Sequence, residues 1–516
     1  MIKTINNLKK ALISFDSLKH VIKINSRLLL ILSFCYLYIP LLIFFLTWTI
    51  LFIGIPCILA CLYGVLMLIK DSDKEDELEI GIIPLCFIAA FLLITGFVAG
   101  WGGWMPQSGD WAKHNAVLYD LLSRSWPVYY KDAVNPSMLT YYIGQYLVSA
   151  LFGKIFSSFR AAEVMMYVWA ECGLFLVVFN LLHNLKIRSV KKQAIAVIVT
   201  VFFSGCLILA QNMYCVFYNV MSTSVHWMTE VDGSLLQYRS NFVDLRWVMP
   251  QCLSCWISVT LLWKRRDKEQ HFAAILCPLF LTGIFQFLGL TIISLCCAVI
   301  NVILLRCNFV QWIKRLFSLQ NVLIAALTGG VLLLYYSGNV FSEKGNDAGF
   351  HMQNLNAWLY LSFVIASFGL YCLFVWKKNK KNGLFLGSVV LLLILPFFSV
   401  GLYNDLVMCT SIPALFIVMI CVLDYLFSVE KNQIVTGALI VLLLIGALNP
   451  MKEMIATIKV FSPRRLQQCF YYPNTLSAFS DLENKKVDDA LKYNYFSYNV
   501  DNNLFISYIA RESITK

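Results

Sequence analysis

The sequence predicts an all-α polytopic membrane protein with about 13 transmembrane helices. Three observations support this prediction: the 516-residue chain is 59% hydrophobic, only 14% of its residues are charged, and its mean hydropathy is +0.71. Many of its apolar runs approach or exceed the ~20 residues that a helix needs to cross the ~30 Å hydrocarbon core of a bilayer. A soluble protein of this length would need far more charge to cover its surface.

The charge distribution indicates membrane topology rather than nucleic-acid binding. The formal net charge is +12, but the basic residues fall in short segments between apolar runs. We therefore expect a lipid bilayer, and no nucleic acid, among the partners. The 17 cysteines lie mostly inside apolar runs, so they are interpreted as small apolar residues and predict no metal site.

The first half of the topology follows from the lengths of the apolar runs. Residues 1–27 are too polar for a cleaved signal peptide and are predicted to form a cytoplasmic segment. Residues 28–69 are apolar for 42 positions, which at ~1.5 Å per residue suffices for a hairpin of two spans. The charged run KDSDKEDELE (70–79) follows as a solvated cytoplasmic turn. Further spans are predicted at 81–101, 161–182, 194–211, 248–263, 271–289, 290–306, 320–337, 357–376, 383–401, 405–426 and 434–449.

The segment 138–156, MLTYYIGQYLVSALFGKIF, determines the orientation of all later loops. Counting it as a span would place the basic stretch KIRSVKK (186–192) outside. The positive-inside rule favours leaving it out, and its tyrosines and glycine suit a helix at the outer interface. The N-terminus is then cytoplasmic and the tail 450–516 extracytoplasmic. The basic loops placed inside by this choice are 186–192, 263–268, 306–315, 377–381 and 429–433.

The predicted transmembrane domain, 28–449, carries its long polar segments on one side. Three outer loops, 102–160, 212–247 and 338–356, are long and aromatic, whereas most inner loops are short. This asymmetry indicates that the protein works on the outer face of a cell membrane.

An ionisable cluster stands where the span 81–101 ends. The stretch SGDWAKHNAVLYDLLSRSW (108–126) follows the run GWGGWM and places Asp110, Lys113 and His114 within four positions. Residues three and four positions apart share one face of a helix, so these side chains are expected to point the same way. Asp120 falls about 80° from that face at 100° per residue and is interpreted as a helix-surface charge.

This arrangement resembles the GT-C class of membrane glycosyltransferases, which includes oligosaccharyltransferases, protein O-mannosyltransferases and aminoarabinose transferases. In that class an outward-running helix ends in a long first loop with an aspartate near its start. Interfacial helices and a returning span follow, and the next outward span leads into a second acidic loop. The matching features here are 81–101, Asp110, 138–156, 161–182 and a second loop with Glu230, Asp232 and Asp244.

Two shorter patches are similar to bacterial members of the superfamily. In LRWVMPQCLSCWIS (245–258), Cys252 stands where Trp-x-x-Pro-Gln is commonly followed by histidine. In GLYNDLVMCTSIPALFIV (401–418), Cys409 stands where the pattern Asn-Asp…Met-Arg-x-Ser-Ile-Pro-Ala-Leu has arginine. If that arginine holds a lipid phosphate, either another cation replaces it here or the protein has changed its substrate or activity.

The resemblance implies a sugar donor linked through phosphate to a polyprenyl chain, and a surface glycan or lipid as acceptor. Displacement at the anomeric carbon needs a carboxylate that takes the acceptor's proton and positive charge near the leaving phosphate. Asp110 is the predicted catalytic base; alternatively, it caps the helix that starts at Trp111. Lys113 is predicted to contact the donor phosphate and His114 to orient a substrate hydroxyl, or both simply face headgroups and water.

The remaining candidate substrate-binding residues lie further along the chain. Glu230 and Asp232 flank a single residue, which suits either a divalent cation or an ordinary solvated turn. Arg239 and Arg246 are candidates for gripping phosphate oxygens, although an arginine before a span also snorkels. Asp405 either lines the site or caps a helix. Two weaker candidates are His351 in the third loop and Glu171 inside span 161–182.

Three other functions remain open on the sequence alone. The first is a polysaccharide polymerase or ligase of related architecture. The second is a membrane transporter or lipid flippase, for which paired broken helices and internal repeats are expected but not seen. The third is a pseudoenzyme or assembly factor, which the two cysteines at motif positions would fit.

Overall fold

The structure is a computed structural model in which helices predominate and pack around one continuous apolar core. It describes residues 21–72, 76–130, 137–207, 228–231, 234–305, 308–339, 350–400, 404–461, 495–497 and 503–511. The helices are α1 (Ser26–Thr47), α2 (Leu51–Lys70), α3 (Ile82–Val98), α4 (Trp111–Ser123), α5 (Gly144–Phe156), α6 (Phe159–Asn184), α7 (Val190–Phe202), α8 (Asn241–Trp247), α9 (Met249–Lys264), α10 (Phe272–Thr282), α11 (Ile284–Leu305), α12 (Phe309–Leu316), α13 (Leu319–Leu323), α14 (Gly330–Ser337), α15 (Ala357–Val364), α16 (Leu370–Asn379), α17 (Gly383–Ile394), α18 (Asp405–Thr410), α19 (Ile412–Phe427), α20 (Gln433–Val460) and α21 (Leu504–Tyr508).

Two pairs of these helices are continuous. A π-helical turn (Ile324–Gly329) joins α13 to α14, and another (Ile365–Gly369) joins α15 to α16. In the described ranges, eight helices are long and apolar enough to cross a membrane. The prediction of a polytopic helical membrane protein is thereby confirmed, while the number of about 13 spans stays a prediction. The eight are Ser26–Thr47, Leu51–Lys70, Phe159–Asn184, Ile284–Ile303, Phe309–Ser337, Ala357–Asn379, Asp405–Phe427 and Gln433–Val460.

The segment predicted not to cross the membrane, 138–156, contains α5. This helix has 13 residues. At ~1.5 Å per residue it is about 20 Å long, which is too short for a ~30 Å hydrocarbon core. The interfacial position of α5 and the orientation deduced from it stay predictions.

The predicted boundary between spans 271–289 and 290–306 is wrong. The chain breaks at Gly283, between α10 and α11, where the backbone is extended. An ideal Cβ on Gly283 would lie 2.3 Å from the Oε1 atom of Gln286, so the Gln286 side chain would have to move to accommodate a larger residue. The apolar run continues across the break, so hydropathy alone does not reveal it.

The centre of the bundle consists of α9 and α19, whose residues are buried on almost every side. Trp256 of α9 stacks on Phe416 of α19 with ring centroids 4.9 Å apart. A helix that is apolar around its whole circumference belongs in a core, as these two do. The last long helix, α20, continues beyond the predicted domain edge at 449 and ends at Val460.

Short antiparallel strands pair at both ends of the bundle. At one end, β1 (Val21–Asn25) pairs with β2 (Glu77–Gly81), so part of the run predicted as a solvated turn is a strand. We call the end with β1 and β2 the opposite end. The end that carries α4, α5 and α8 is called the site end. The other strands are β3 (Tyr129–Tyr130), β4 (Ser137–Leu139), β5 (Met228–Val231), β6 (Ser234–Leu236), β7 (His351–Met352), β8 (Phe398–Ser399) and β9 (Phe496–Ser497).

Ion pairs hold two aspartates of the charged run 70–79 at the opposite end. Asp71 pairs with Lys268 at 3.1 Å and accepts a hydrogen bond from His271 at 2.8 Å. Asp76 pairs with Lys264 at 3.0 Å and with His183 at 3.1 Å. These two aspartates are therefore tied to the neighbouring helices.

Candidate functional site

A glycine turn directs the chain from α3 into the site. Gly100, Gly102 and Gly103 all have positive φ angles, between 67° and 89°, which L side chains rarely adopt. The turn buries Trp101 completely, and its indole N–H donates to the carbonyl oxygen of Leu245 at 2.7 Å. The run GWGGWM therefore fixes the start of the first loop against the second.

The C-terminal end of α8 is the point where the two loops join. The last carbonyl groups of a helix have no partner within the helix and need donors from elsewhere. Here the first loop supplies them. Trp101 donates to Leu245, Trp111 to Arg246 at 2.8 Å, and His114 to Trp247 at 3.1 Å.

A cavity of about 900 Å³ lies at the site end between these loops and the bundle. Its volume falls within the range of small-molecule sites. Five of the predicted site residues line it. They are Asp110, Lys113, His114, Arg239 and Asp405.

Asp110 and Lys113 form an ion pair inside the cavity. Nζ of Lys113 lies 2.9 Å from Oδ1 of Asp110, and both side chains are about one-third exposed. The Asp110 side chain makes no capping hydrogen bond to α4, so the alternative interpretation as a helix cap is wrong. Burial favours the neutral acid, but Lys113 outweighs it and holds the pKa of Asp110 below its usual value. Asp110 is therefore ionised at neutral pH.

Arg239 enters the cavity from the segment between β6 and α8. The Ser240 hydroxyl caps α8, which places Arg239 immediately before the helix. Its Nε lies 3.1 Å from Oδ1 of Asp244, and both side chains are almost completely buried. Burial raises the pKa of Asp244 to about 7 despite this neighbouring guanidinium. The carboxyl of Asp244 is therefore poorly solvated, and its charge changes near neutral pH.

The guanidinium group of Arg239 also occupies the place beside Cys409. Its Nη2 lies 3.5 Å from the Sγ atom of that cysteine, and both residues line the cavity. Cys409 is the residue that takes the position of the arginine expected from the resemblance. A cation is thus present at this point, supplied by a different segment of the chain.

Asp405 is exposed to the cavity because the preceding residue caps the helix. Asn404 adopts a left-handed conformation (φ 53°), and its side chain accepts the N–H of Val407. The cap interpretation of Asp405 is therefore wrong. Within the described residues Asp405 has no salt bridge closer than 4.0 Å, although its charge interacts with Lys113 and Arg239.

The cavity is lined by both polar and apolar residues. The polar ones include the charged residues and the amides of Gln237 and Gln251. Several apolar ones lie at the helix break, where Phe280 of α10 stacks on Phe287 of α11 at 4.5 Å, and we call this group the apolar wall. The apolar lining residues are Val243, Val248, Phe280, Ile284, Phe285, Phe287, Leu288, Val400 and Met408.

Tyrosines that the sequence did not single out form another part of the wall. Tyr141 and Tyr142 follow β4, and Tyr495 comes from the C-terminal tail. The ring centroids of Tyr141 and Tyr495 are 4.4 Å apart. A two-residue strand, β9, brings the tail to this place, and a strand so short leaves no detectable pattern in the sequence.

The other predicted binding residues lie elsewhere or outside the described residues. Arg246 does not line the cavity; its Nε pairs with Glu453 at 3.0 Å and its Nη1 donates to Pro106 at 3.1 Å. Its placement in the binding site is therefore wrong, because α20 supplies a carboxylate that holds it. Glu230 belongs to the backbone of β5, while its side chain and the whole of Asp232 lie outside the described residues.

Three weaker candidates also lie away from the cavity. Asp120 is fully buried and accepts a hydrogen bond from Tyr130 at 2.6 Å, so its interpretation as a surface charge is wrong. His351 is exposed in β7. Glu171 is buried inside α6 against Gly96, where an added Cβ would lie 2.1 Å from its Oε1 atom.

Most of the described cysteines are buried, whereas Cys35, Cys86 and Cys172 are exposed. Cys252 and Cys255 do have the spacing of a C-x-x-C motif, but both are fully buried in α9. In the described part of the chain, no group of three or more His, Cys, Asp or Glu side chains is arranged to hold a metal ion.

His114 lines the cavity as a neutral imidazole. A carbonyl can only accept, so Nε2 carries the proton that goes to Trp247 and Nδ1 accepts from the hydroxyl of Tyr146. Burial lowers the pKa of His114 to about 4. Both ring nitrogens are committed to the protein, so His114 fixes the two loops relative to each other.

This low pKa predicts a specific dependence of stability on pH. An unfolded histidine takes up its proton near pH 6.5. The folded state stays neutral until about pH 4. The stabilisation that neutral His114 gives the folded state is therefore complete above pH 6.5 and is lost as the pH falls towards 4. The loss of unfolding free energy at pH 5 is about 2 kcal/mol.

Unfolding of the full chain in detergent at pH 7.5 and pH 5 measures this contribution. Between the two pH values, the unfolding free energy of the wild type should fall by about 2 kcal/mol more than that of His114→Gln. The unpaired Tyr146 hydroxyl in the variant lowers stability at both pH values and cancels in the difference. Equal losses in the two proteins would show that His114 is not the titrating group.

Comparison of the chain with family models, curated proteins and solved structures finds no match. Function is therefore inferred from the cavity. Two cations, Lys113 and Arg239, lie in it together with two carboxylates, Asp110 and Asp405, and an apolar wall adjoins them. Such a site suits an amphiphilic anion with a polar head that undergoes proton transfer.

Proposed function

We propose that this protein is a membrane glycosyltransferase that moves a sugar from a polyprenyl-phosphate-linked donor to a cell-surface glycan or lipid on the outer face of the membrane. The observation that carries the proposal is the single cavity in which Asp110, Lys113, Arg239 and Asp405 adjoin an apolar wall. These residues come from three segments that are distant in sequence, so their convergence is a property of the fold.

Each part of the donor has a matching part of the cavity. The apolar wall at the break between α10 and α11 suits the polyprenyl chain. Lys113 and Arg239 suit the phosphate, because an ammonium and a guanidinium form charge-assisted hydrogen bonds to its oxygens. The sugar then lies near the two carboxylates.

The reaction is a displacement at the anomeric carbon. The acceptor hydroxyl oxygen forms a bond to that carbon while the bond from the carbon to the phosphate oxygen breaks. Asp110 takes the proton of the acceptor, and the two cations stabilise the phosphate as it leaves. Arg239 replaces, from another segment, the arginine whose position Cys409 occupies.

The ion pair of Asp110 and Lys113 also implies an order of events. While Lys113 is 2.9 Å from the carboxylate, it lowers the basicity of Asp110. A bound phosphate competes for the same ammonium group. Donor binding therefore makes Asp110 a stronger base. Before the donor binds, the ion pair with Lys113 suppresses proton transfer to Asp110.

Binding of lipids to the full chain in nanodiscs tests the proposal. The probes are a radiolabelled polyprenyl phosphate and the uncharged polyprenol of the same length. We expect at least ~10-fold tighter binding of the phosphate, since a charge-assisted hydrogen bond contributes ~1.5–3 kcal/mol. Lys113→Met should weaken binding of polyprenyl phosphate by ~10-fold and leave binding of polyprenol unchanged.

The matched control is Lys268→Met at the opposite end, which replaces another ion-paired lysine and should leave lipid binding unchanged. Equal binding of polyprenol and polyprenyl phosphate by the wild type would contradict the proposal. Movement of the phosphate lipid between leaflets without sugar transfer would favour a flippase instead.

A further inference from the structure

The C-terminal segment, defined as the described residues 495–497 and 503–511, is built into the site end. Its strand β9 pairs with β4 of the first loop, and the carbonyl oxygen of Tyr495 accepts the N–H of Thr140 at 2.8 Å. Its far end returns to the turn between α1 and α2, where Ile50 donates to the carbonyl of Ile509 at 2.8 Å. Backbone hydrogen bonds therefore hold both ends of the segment.

Side-chain packing fixes the segment between these two points. Phe505 of α21 is fully buried against Phe44 and Tyr335, with centroid distances of 6.3 and 5.3 Å. Gly338, after α14, leaves the space for Asn503, since an added Cβ would lie within bonding distance of its Nδ2 atom. The segment is thus a fixed wall of the site end.

Tyr495 is the residue that this wall presents to the cavity. Its side chain lines the cavity and is only 6% exposed overall. One ring face is covered by Tyr141. Its phenol interacts electrostatically with Lys113, Asp110 and Asp405, and its hydroxyl is hydrogen-bonded to Tyr141. Burial raises the pKa of Tyr495, so the hydroxyl is neutral.

We propose that Tyr495 contacts the substrate, its hydroxyl forming a hydrogen bond with the saccharide whose phosphate lies on Lys113. This inference rests on the proposed function and specifies the sugar-binding part of the site. A neutral hydroxyl that interacts with an ammonium group and two carboxylates suits a polyol better than a lipid chain. The lipid chain is instead expected at the apolar wall, at the helix break. The phenol distinguishes a glycosylated lipid phosphate from the bare one.

The test compares two kinds of ligand on the full chain in nanodiscs. The probes are a polyprenyl phosphate without sugar and the same lipid carrying glucose, mannose or galactose. In the wild type, at least one glycosylated form should bind more tightly than the bare phosphate. Tyr495→Phe keeps the ring and its packing, and should weaken that form about tenfold while leaving the bare phosphate within twofold.

The matched control is Tyr508→Phe, which changes a 71% exposed tyrosine of the same segment and should alter neither affinity. Unchanged binding of the glycosylated form by Tyr495→Phe would overturn the contact. So would an equal loss for both ligands, which would indicate a structural role, or a wild type that prefers no glycosylated form. Failure of the wild type to bind the bare phosphate would instead overturn the proposed function itself.

Discussion

Asp110→Asn is expected to lower the rate of sugar transfer by ~10²–10⁴-fold, the range that general-base catalysis contributes. The substitution keeps the shape of the side chain and removes its ability to take a proton. It also releases Lys113, now 2.9 Å from the carboxylate, for the donor phosphate. Affinity for the lipid phosphate should therefore be unchanged or higher. A loss of rate without a loss of donor affinity separates a catalytic role from a structural one.

Initial rates of sugar transfer in proteoliposomes at a saturating donor concentration measure this effect. The matched control is Asp424→Asn, which changes another ion-paired aspartate, 2.7 Å from Lys378, away from the cavity. It should transfer at the wild-type rate. Full transfer by Asp110→Asn would rule this carboxylate out as the base and direct attention to Asp405 across the cavity.

Loss of Arg239 is the second change with a large expected effect. Its guanidinium is one of the two cations that line the cavity in the described residues, so its removal should weaken lipid-phosphate binding by ~10–100-fold. Arg239→Gln alone also leaves Asp244 buried without its partner. Because burial already raises the pKa of Asp244 to about 7 beside the guanidinium, its carboxyl should become neutral in this variant, which loses folding stability through the lost pairing.

The double variant Arg239→Gln with Asp244→Asn separates folding from binding. It removes both charges of the buried pair, and we expect it to fold while still failing to bind polyprenyl phosphate tightly. Asp244→Asn alone keeps the guanidinium, which still interacts with Asp110 and Asp405, and should retain phosphate binding even though its stability is lower. Binding by the folded double variant within twofold of the wild type would show that Arg239 does not hold the phosphate.

Local patterns in the sequence accounted for much of the site. The spacing of Asp110, Lys113 and His114 places them on one face of α4, which requires only that the helix forms. Likewise, Asp405 lies at the end of an apolar helix, so the limits of that apolar run in the sequence predict its position at the site end. The apolar runs also predicted most of the helices. These features depend on residues close together in the chain.

The features of the site that could not be predicted from the sequence depend on contacts between distant segments. Arg239 and Arg246 were indistinguishable, because only the fold shows that α20 brings Glu453 to the second of them. Tyr495 was missed because it depends on pairing between β4 and β9, which are far apart in sequence. The break at Gly283 lies inside a continuous apolar run, so hydropathy does not register it.

The structure of the full chain with a bound polyprenyl phosphate tests the central claim most directly. The proposal predicts the phosphate within hydrogen-bond distance of both Lys113 and Arg239, with the lipid chain along the apolar wall at the break between α10 and α11. A phosphate bound elsewhere on the bundle, with neither cation in contact with it, would contradict the proposal.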